Sequence, residues 1–102
     1  MARFDVYGIR AEADVPLVVD VQADFLEALR TRVVVPLLPL ADAEDEIAPR
    51  LKPIVDVAGE RYVLMTTDLG AVSNAVLGKR VGSIEDQRQV VTDALDFLFQ
   101  GF

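Results

Sequence analysis

The stretch Ser83-Ile84-Glu85-Asp86-Gln87-Arg88-Gln89-Val90-Val91-Thr92-Asp93-Ala94-Leu95-Asp96-Phe97-Leu98-Phe99-Gln100-Gly101-Phe102 is where the hydrophobic period of this chain changes. Ile84, Arg88, Val91, Leu95, Leu98 and Phe102 recur at three- or four-residue spacing and Ala94 joins them, which predicts an amphipathic helix. Ser83 stands where an N-cap is expected. Glu85 and Asp86 place negative charge in the first turn, where the helix dipole favours it.

Upstream of residue 83 the pattern is β-branched, short and punctuated. Phe4 to Ile9 reads as a strand, with Gly8 as a bulge or an exit. Ala11 to Asp14, followed by Pro16, reads as a loop, and Leu17-Val18-Val19-Asp20-Val21-Gln22 resumes the sheet. Ala23 to Leu29 is expected to form a helical turn or a bend. Val33-Val34-Val35 is the strongest strand signal, and Pro36 after it predicts an edge or the strand's end. Pro39, Pro49 and Pro53 bracket the acidic run Asp42 to Glu46, a surface loop with one helical turn. Ile54 to Val57, a turn at Ala58-Gly59, and Arg61 to Met65 form a hairpin in which Gly59 takes positive φ. Val76-Leu77-Gly78 and Val81 suggest a last short strand interrupted by Gly78. Five or more short strands and one terminal helix give a mainly β fold, a small barrel or sandwich with the helix packed on it.

The bulk numbers restrict function. The chain has 102 residues, room for one domain, and 52% of them are hydrophobic, enough for a core. It has no cysteine and no histidine. Disulfides, thiol nucleophiles, Ser-His-Asp sites and zinc sites built on imidazole are thereby removed, and no cofactor is implied. The amino end breaks with charge before any apolar run develops, and no run is long enough to span a bilayer, so a cytoplasmic address without membrane contact is expected. A formal charge of -7 repels phosphate backbones, so direct nucleic-acid binding is not expected.

Candidate chemistry fails on spacing. An EF-hand begun at Asp42 requires Gly and Glu where Ile47 and Pro53 stand. In Thr66-Thr67-Asp68 no base activates a hydroxyl, and a side-chain-capped turn is expected instead. Gly78 and Gly82 lack the spacing and ending of a phosphate loop. The carboxyl end is different: Phe97, Phe99 and Phe102 are three of five phenylalanines and lie within the last six residues. Such a terminus either docks on the sheet or in a dimer, or forms a partner-binding patch.

Taken in order, Leu17 to Asp24, Val35-Pro36-Leu37, Pro53-Ile54-Val55, Met65-Thr66-Thr67-Asp68-Leu69, Val76-Leu77-Gly78 and the ending Phe99-Gln100-Gly101-Phe102 resemble the CcdB toxin family. The likeness spans the chain, as a single CcdB-like domain over residues 1–102. It implies an SH3-like barrel with a C-terminal helix, assembled as a homodimer. It implies a non-enzymatic toxin of a type II toxin–antitoxin pair, which binds the A subunit of DNA gyrase and traps the gyrase–DNA cleavage complex until a cognate antitoxin strips it away. The gyrase contacts carried across are Phe25, Leu26, Asp96, Gln100, Gly101 and Phe102. The antitoxin contacts are Arg10, Glu12 and Asp14.

Three departures accompany the resemblance. Gln100 stands where the family has the tryptophan of a Trp-Gly-Ile ending. Asp96 replaces an asparagine, exchanging a donor-acceptor for an acceptor-only charge. Glu12 and Asp14 beside Arg10 acidify a loop that is basic in the family, so the antitoxin must differ in charge. A second expectation therefore keeps the fold and the antitoxin but drops gyrase. A third is an mRNA endonuclease of the MazF/Kid type on the same barrel, against which the net charge and the missing histidine argue.

Overall fold

A computed structural model describes residues 2–10, 17–26 and 28–101. Among the described residues seven strands build one curled sheet: β1 (Asp5–Ile9), β2 (Leu17–Asp20), β3 (Thr31–Pro39), β4 (Ile54–Val57), β5 (Glu60–Leu64), β6 (Gly70–Ser73) and β7 (Leu77–Ser83). The helix α1 (Arg88–Gln100) follows them. This is the expected mainly β barrel-like fold with a C-terminal helix, its sheet curled into a half-barrel. The order across the sheet is β4-β5-β3-β2-β1-β7, and β6 pairs with the first half of β3. Every pairing is antiparallel.

Pairing on both edges of β3 overrides the reading of Pro36 as an edge or an end. The strand runs straight through it, because the missing N–H falls where the neighbour changes. Val34 is the last residue paired to β6 (with Gly70), and Leu37 the first paired to β5 (with Leu64). Pro36 sits between them opposite Val18 of β2, and its carbonyl accepts from the Met65 N–H at 2.9 Å. A central proline is tolerated where no ladder bond is asked of it.

Other boundaries moved for local reasons. The strand expected to reach Gln22 ends at Asp20, since the Asp20 carboxylate accepts the Gln22 N–H at 2.9 Å in place of a ladder partner. Gly78 does not interrupt β7. Instead β7 passes so close to β1, where the register slips around Gly8, that a Cβ at residue 78 would lie 3.1 Å from the Gly8 carbonyl oxygen. Gly78→Ala is expected to lose about 1–2 kcal/mol through overpacking against backbone, seen as a lower urea midpoint at unchanged slope; an unchanged midpoint would contradict this account. The β4–β5 hairpin is as expected, with Ala58 (φ 51°) and Gly59 (φ 84°) both left-handed, the pattern of a type I′ turn. Between β3 and β4 the acidic run forms two 3₁₀ turns, Leu40–Asp42 and Glu44–Glu46, where one was expected. The turn Thr66–Asp68 carries no side-chain cap; the Thr66 hydroxyl donates back to the Leu64 carbonyl at 3.4 Å. Ser83 accepts from the Glu85 N–H at 3.2 Å but is not the N-cap expected of it: Ile84 holds that position for the 3₁₀ turn Glu85–Gln87 and Gln87 for α1, neither with a side-chain cap. The loop expected over Ala11 to Asp14 lies outside the described residues.

Both faces of the curl are buried. One packs Phe4, Val6, Val19, Val35, Leu37, Leu64, Ile84, Val91 and Ala94 under α1, with Leu95 half-buried beside them. Of the stripe read from the sequence, Ile84, Val91, Ala94 and Leu95 face the core, Leu98 is half-buried, Arg88 is exposed and Phe102 lies outside the described residues. The opposite face carries a smaller apolar set, Tyr7, Val18, Val34 and Leu77. Period-two alternation puts Asp20 on this second face beside Val18, and Arg32 beside Val34.

Candidate functional site

Two exposed apolar groups stand out, and the route to the first begins in the buried layer of the second face. Asp20 and Arg32 are both 0% exposed. Asp20 lies opposite Val34 in the register, so Arg32 is its diagonal neighbour. The Arg32 guanidinium donates from Nε (2.9 Å) and Nη2 (2.5 Å) to one Asp20 oxygen, while the other oxygen takes the Gln22 N–H. Burial pushes the Asp20 carboxyl above its ordinary value, against the pull of Arg32 and Gln22. Nearby, the Tyr7 hydroxyl donates to Asp5 at 3.3 Å, and burial followed by the Asp5 charge raises the phenol. Arg80 reaches Asp5 at 3.2 Å.

Above this layer the chain leaves β2 and crosses to β3. The 3₁₀ turn Asp24–Leu26 buries none of its residues. Phe25 is 86% exposed and Leu26 is exposed beside it. An isolated surface apolar residue is unremarkable, but a phenylalanine this bare on an ordered turn is a contact looking for a partner.

The second group is the end of α1. Gly101 takes φ 79° and donates its N–H to the Phe97 carbonyl at 2.9 Å, an αL cap that stops the helix. Phe99 is 70% exposed. Phe97 is half-buried under Arg50, whose guanidinium carbon lies 4.3 Å from the ring centroid. Beside it a shallow cavity of about 280 Å³ is lined by Pro49, Arg50, Val90, Asp93 and Asp96. Gln100 is exposed on the last helical turn.

Of the expected gyrase contacts, then, Phe25 and Leu26 sit on the β2–β3 turn, Asp96 and Gln100 on the outer side of α1, and Gly101 at its cap. Phe102 lies outside the described residues. Among the described residues no hydrogen bond or ion pair joins the two groups. Of the antitoxin contacts, Arg10 is bent back onto β7, donating from Nε to the Leu77 carbonyl at 2.9 Å and from its N–H to the Val76 carbonyl at 3.0 Å. Glu12 and Asp14 lie outside the described residues. The sequence does not single out the Asp20–Arg32 pair, whereas the aromatic carboxyl end, left between docking and a partner patch, has Phe99 exposed. A lone carboxylate inside the apolar run Leu17 to Val21 was the available signal for the first.

A family model described as CcdB protein matches residues 3–101. The chain belongs to the CcdB family. It is accordingly a toxin of the CcdB type, and the match runs from Arg3, just before β1, through the αL cap of α1. No helix among the described residues is long and apolar enough to cross a membrane.

Proposed function

We propose that this CcdB-type toxin acts in the cytoplasm by binding and not by catalysis, taking the A subunit of DNA gyrase and trapping its cleavage complex. Phe25 and Leu26 are one half of the contact. Asp96, Gln100, Gly101 and Phe102 are the other. The homodimer and a cognate antitoxin engaging Arg10, Glu12 and Asp14 complete the reading. The observation that supports it most is the bareness of Phe25 on a turn that buries nothing, since exposed aromatics on ordered backbone supply hot-spot energy. The test is a cleavage assay with gyrase from the same organism, read as linearised plasmid after protein denaturation, with calorimetry on the isolated A subunit. Trapped breaks and saturable heat are expected. Their joint absence would overturn the gyrase target.

A second reading has an observation of its own. Asp96 and Gln100 are both exposed, and neither has the chemistry the family uses there. It holds that the fold and the antitoxin remain while the target has changed. Gyrase silence combined with growth arrest on induction, relieved by the co-expressed antitoxin, is its expected signature.

A further inference from the structure

We infer that Gln22, assisted by Asn74 and Asp24, is a positioning residue that holds the Phe25-Leu26 turn rigid from outside the hydrophobic core; the inference rests on the reading of that turn as a partner contact. Among the described residues, the segment between β2 and β3 has no apolar anchor past Ala23: Asp24, Phe25, Leu26, Ala28, Leu29 and Arg30 are all exposed. A segment so placed should sample many conformations, because nothing offsets the entropy of ordering it. Side-chain amides supply what the core does not. Gln22 is itself buried, and its Nε2 donates to the Leu26 carbonyl at 3.2 Å and the Thr31 carbonyl at 3.3 Å, so one group ties both ends of the excursion. Its Oε1 accepts from the Val33 N–H at 3.0 Å, locking the amide in that orientation.

Gln22 is in turn set by Asp20, which takes its N–H, and Asp20 is held by Arg32. From the far side Asn74 donates Nδ2 to the Leu29 carbonyl at 3.1 Å and its N–H to the Arg30 carbonyl at 2.9 Å. From the near side the Arg3 N–H donates to Asp24 at 2.6 Å. Two side chains, those of Gln22 and Asn74, thus reach a segment that contributes nothing to the core, and a third, Asp24 of the turn itself, ties it back to the Arg3 backbone. Such an arrangement makes sense as preorganisation, which lowers the ordering cost a partner would otherwise meet.

The chain has no tryptophan, so Phe25→Trp gives a lone fluorescent reporter on the turn itself. In that background Gln22→Glu keeps the acceptor for Val33 and removes both donors. The expected result is faster local depolarisation of the introduced indole and a roughly five- to tenfold weaker grip on the gyrase A subunit, with the cooperative unfolding transition retained. Asn74→Ala, on another element, should move both readouts in the same direction and decides the matter should Gln22→Glu not fold. Unchanged depolarisation in the folded variants would overturn the inference. So would binding that falls in Phe25→Ala but not in Gln22→Glu or Asn74→Ala. Should Phe25→Ala leave gyrase binding unaltered, the contact reading itself fails and takes this inference with it, a result distinguishable from the previous one.

Discussion

Arg32→Met is expected to remove about 3–5 kcal/mol of stability, measured as a fall in the urea midpoint, because it strands a carboxylate that has no water to turn to. Asp20 and Arg32 are both fully buried, and their contact is fork-like, through Nε and Nη2 to a single oxygen. Breaking such a pair from one side leaves an uncompensated charge, which costs far more than the pair contributes when whole. The pair is also incompletely satisfied: Arg32 Nη1 has no acceptor among the described residues. Replacing both members with apolar residues, Asp20→Leu with Arg32→Met, is therefore expected to recover part of the loss, leaving about 1–3 kcal/mol for the buried Gln22 N–H that Asp20 no longer accepts. A single variant that costs less than about 1 kcal/mol would show the pair to be far better solvated than its burial implies.

The same variant carries a pH signature whose sign follows from the burial of Asp20. Desolvation already raises this carboxyl above its ordinary value, with Arg32 pulling the other way. Removing Arg32 removes that pull, so the folded-state pKa climbs further while the unfolded value stays near about 3.9. A group raised in the folded state contributes its stability at low pH and loses it as pH rises through the folded pKa. The Arg32→Met penalty should thus be smallest at acid pH, where both states hold the carboxyl neutral, and grow as the pH rises and the unfolded state ionises, levelling off once the folded carboxyl ionises too. A penalty independent of pH would mean that the stranded carboxylate finds another cation.

Local signals were enough for the helix and the β4–β5 hairpin. Ile84, Val91, Ala94 and Leu95 repeat at helical spacing, and Ala58-Gly59 sits between two alternating runs. What was not legible depends on partners distant in the chain. Gly70-Ala71-Val72-Ser73 has no alternation that marks a strand, and becomes β6 only because Thr31 to Val34 offers an unpaired edge. Pro36 reads as a breaker until the change of neighbour on β3 is known. The site divides in the same way. Phe25, Leu26 and Gln100 could be named from the family likeness, because position in an ordered set of motifs suffices for that. The support beneath them could not, since Asp20 and Arg32 are twelve residues apart and only the β2–β3 register brings them together. Gln22 is a plain strand-end glutamine until the carbonyls of Leu26 and Thr31 are seen to converge on its amide.

Gln100→Trp is expected to tighten binding to the gyrase A subunit at least about tenfold and to lower the toxin concentration needed to trap cleavage complexes by a similar factor. The backbone asks for no adjustment. Residue 100 is exposed at the end of α1, and the αL cap at Gly101 is held by its own N–H on Phe97, independent of the side chain before it. Stability should therefore stay within about 0.5 kcal/mol, as for other surface changes, so a gain in binding cannot be credited to better folding. An indole there adds a large rigid face beside Phe99, at low entropic cost, and can stack on a partner arginine in a way glutamine cannot. Asp96→Asn, one turn earlier, restores a donor and removes a charge; combined with Gln100→Trp it should add to the gain. Tighter binding by the single variant would mean that the turn carrying Phe25 and the end of α1 already present a gyrase-competent surface, with residue 100 as its missing anchor. No change in either variant, with Phe25→Ala equally silent, would leave gyrase behind as the target and assign these exposed aromatics to a different protein.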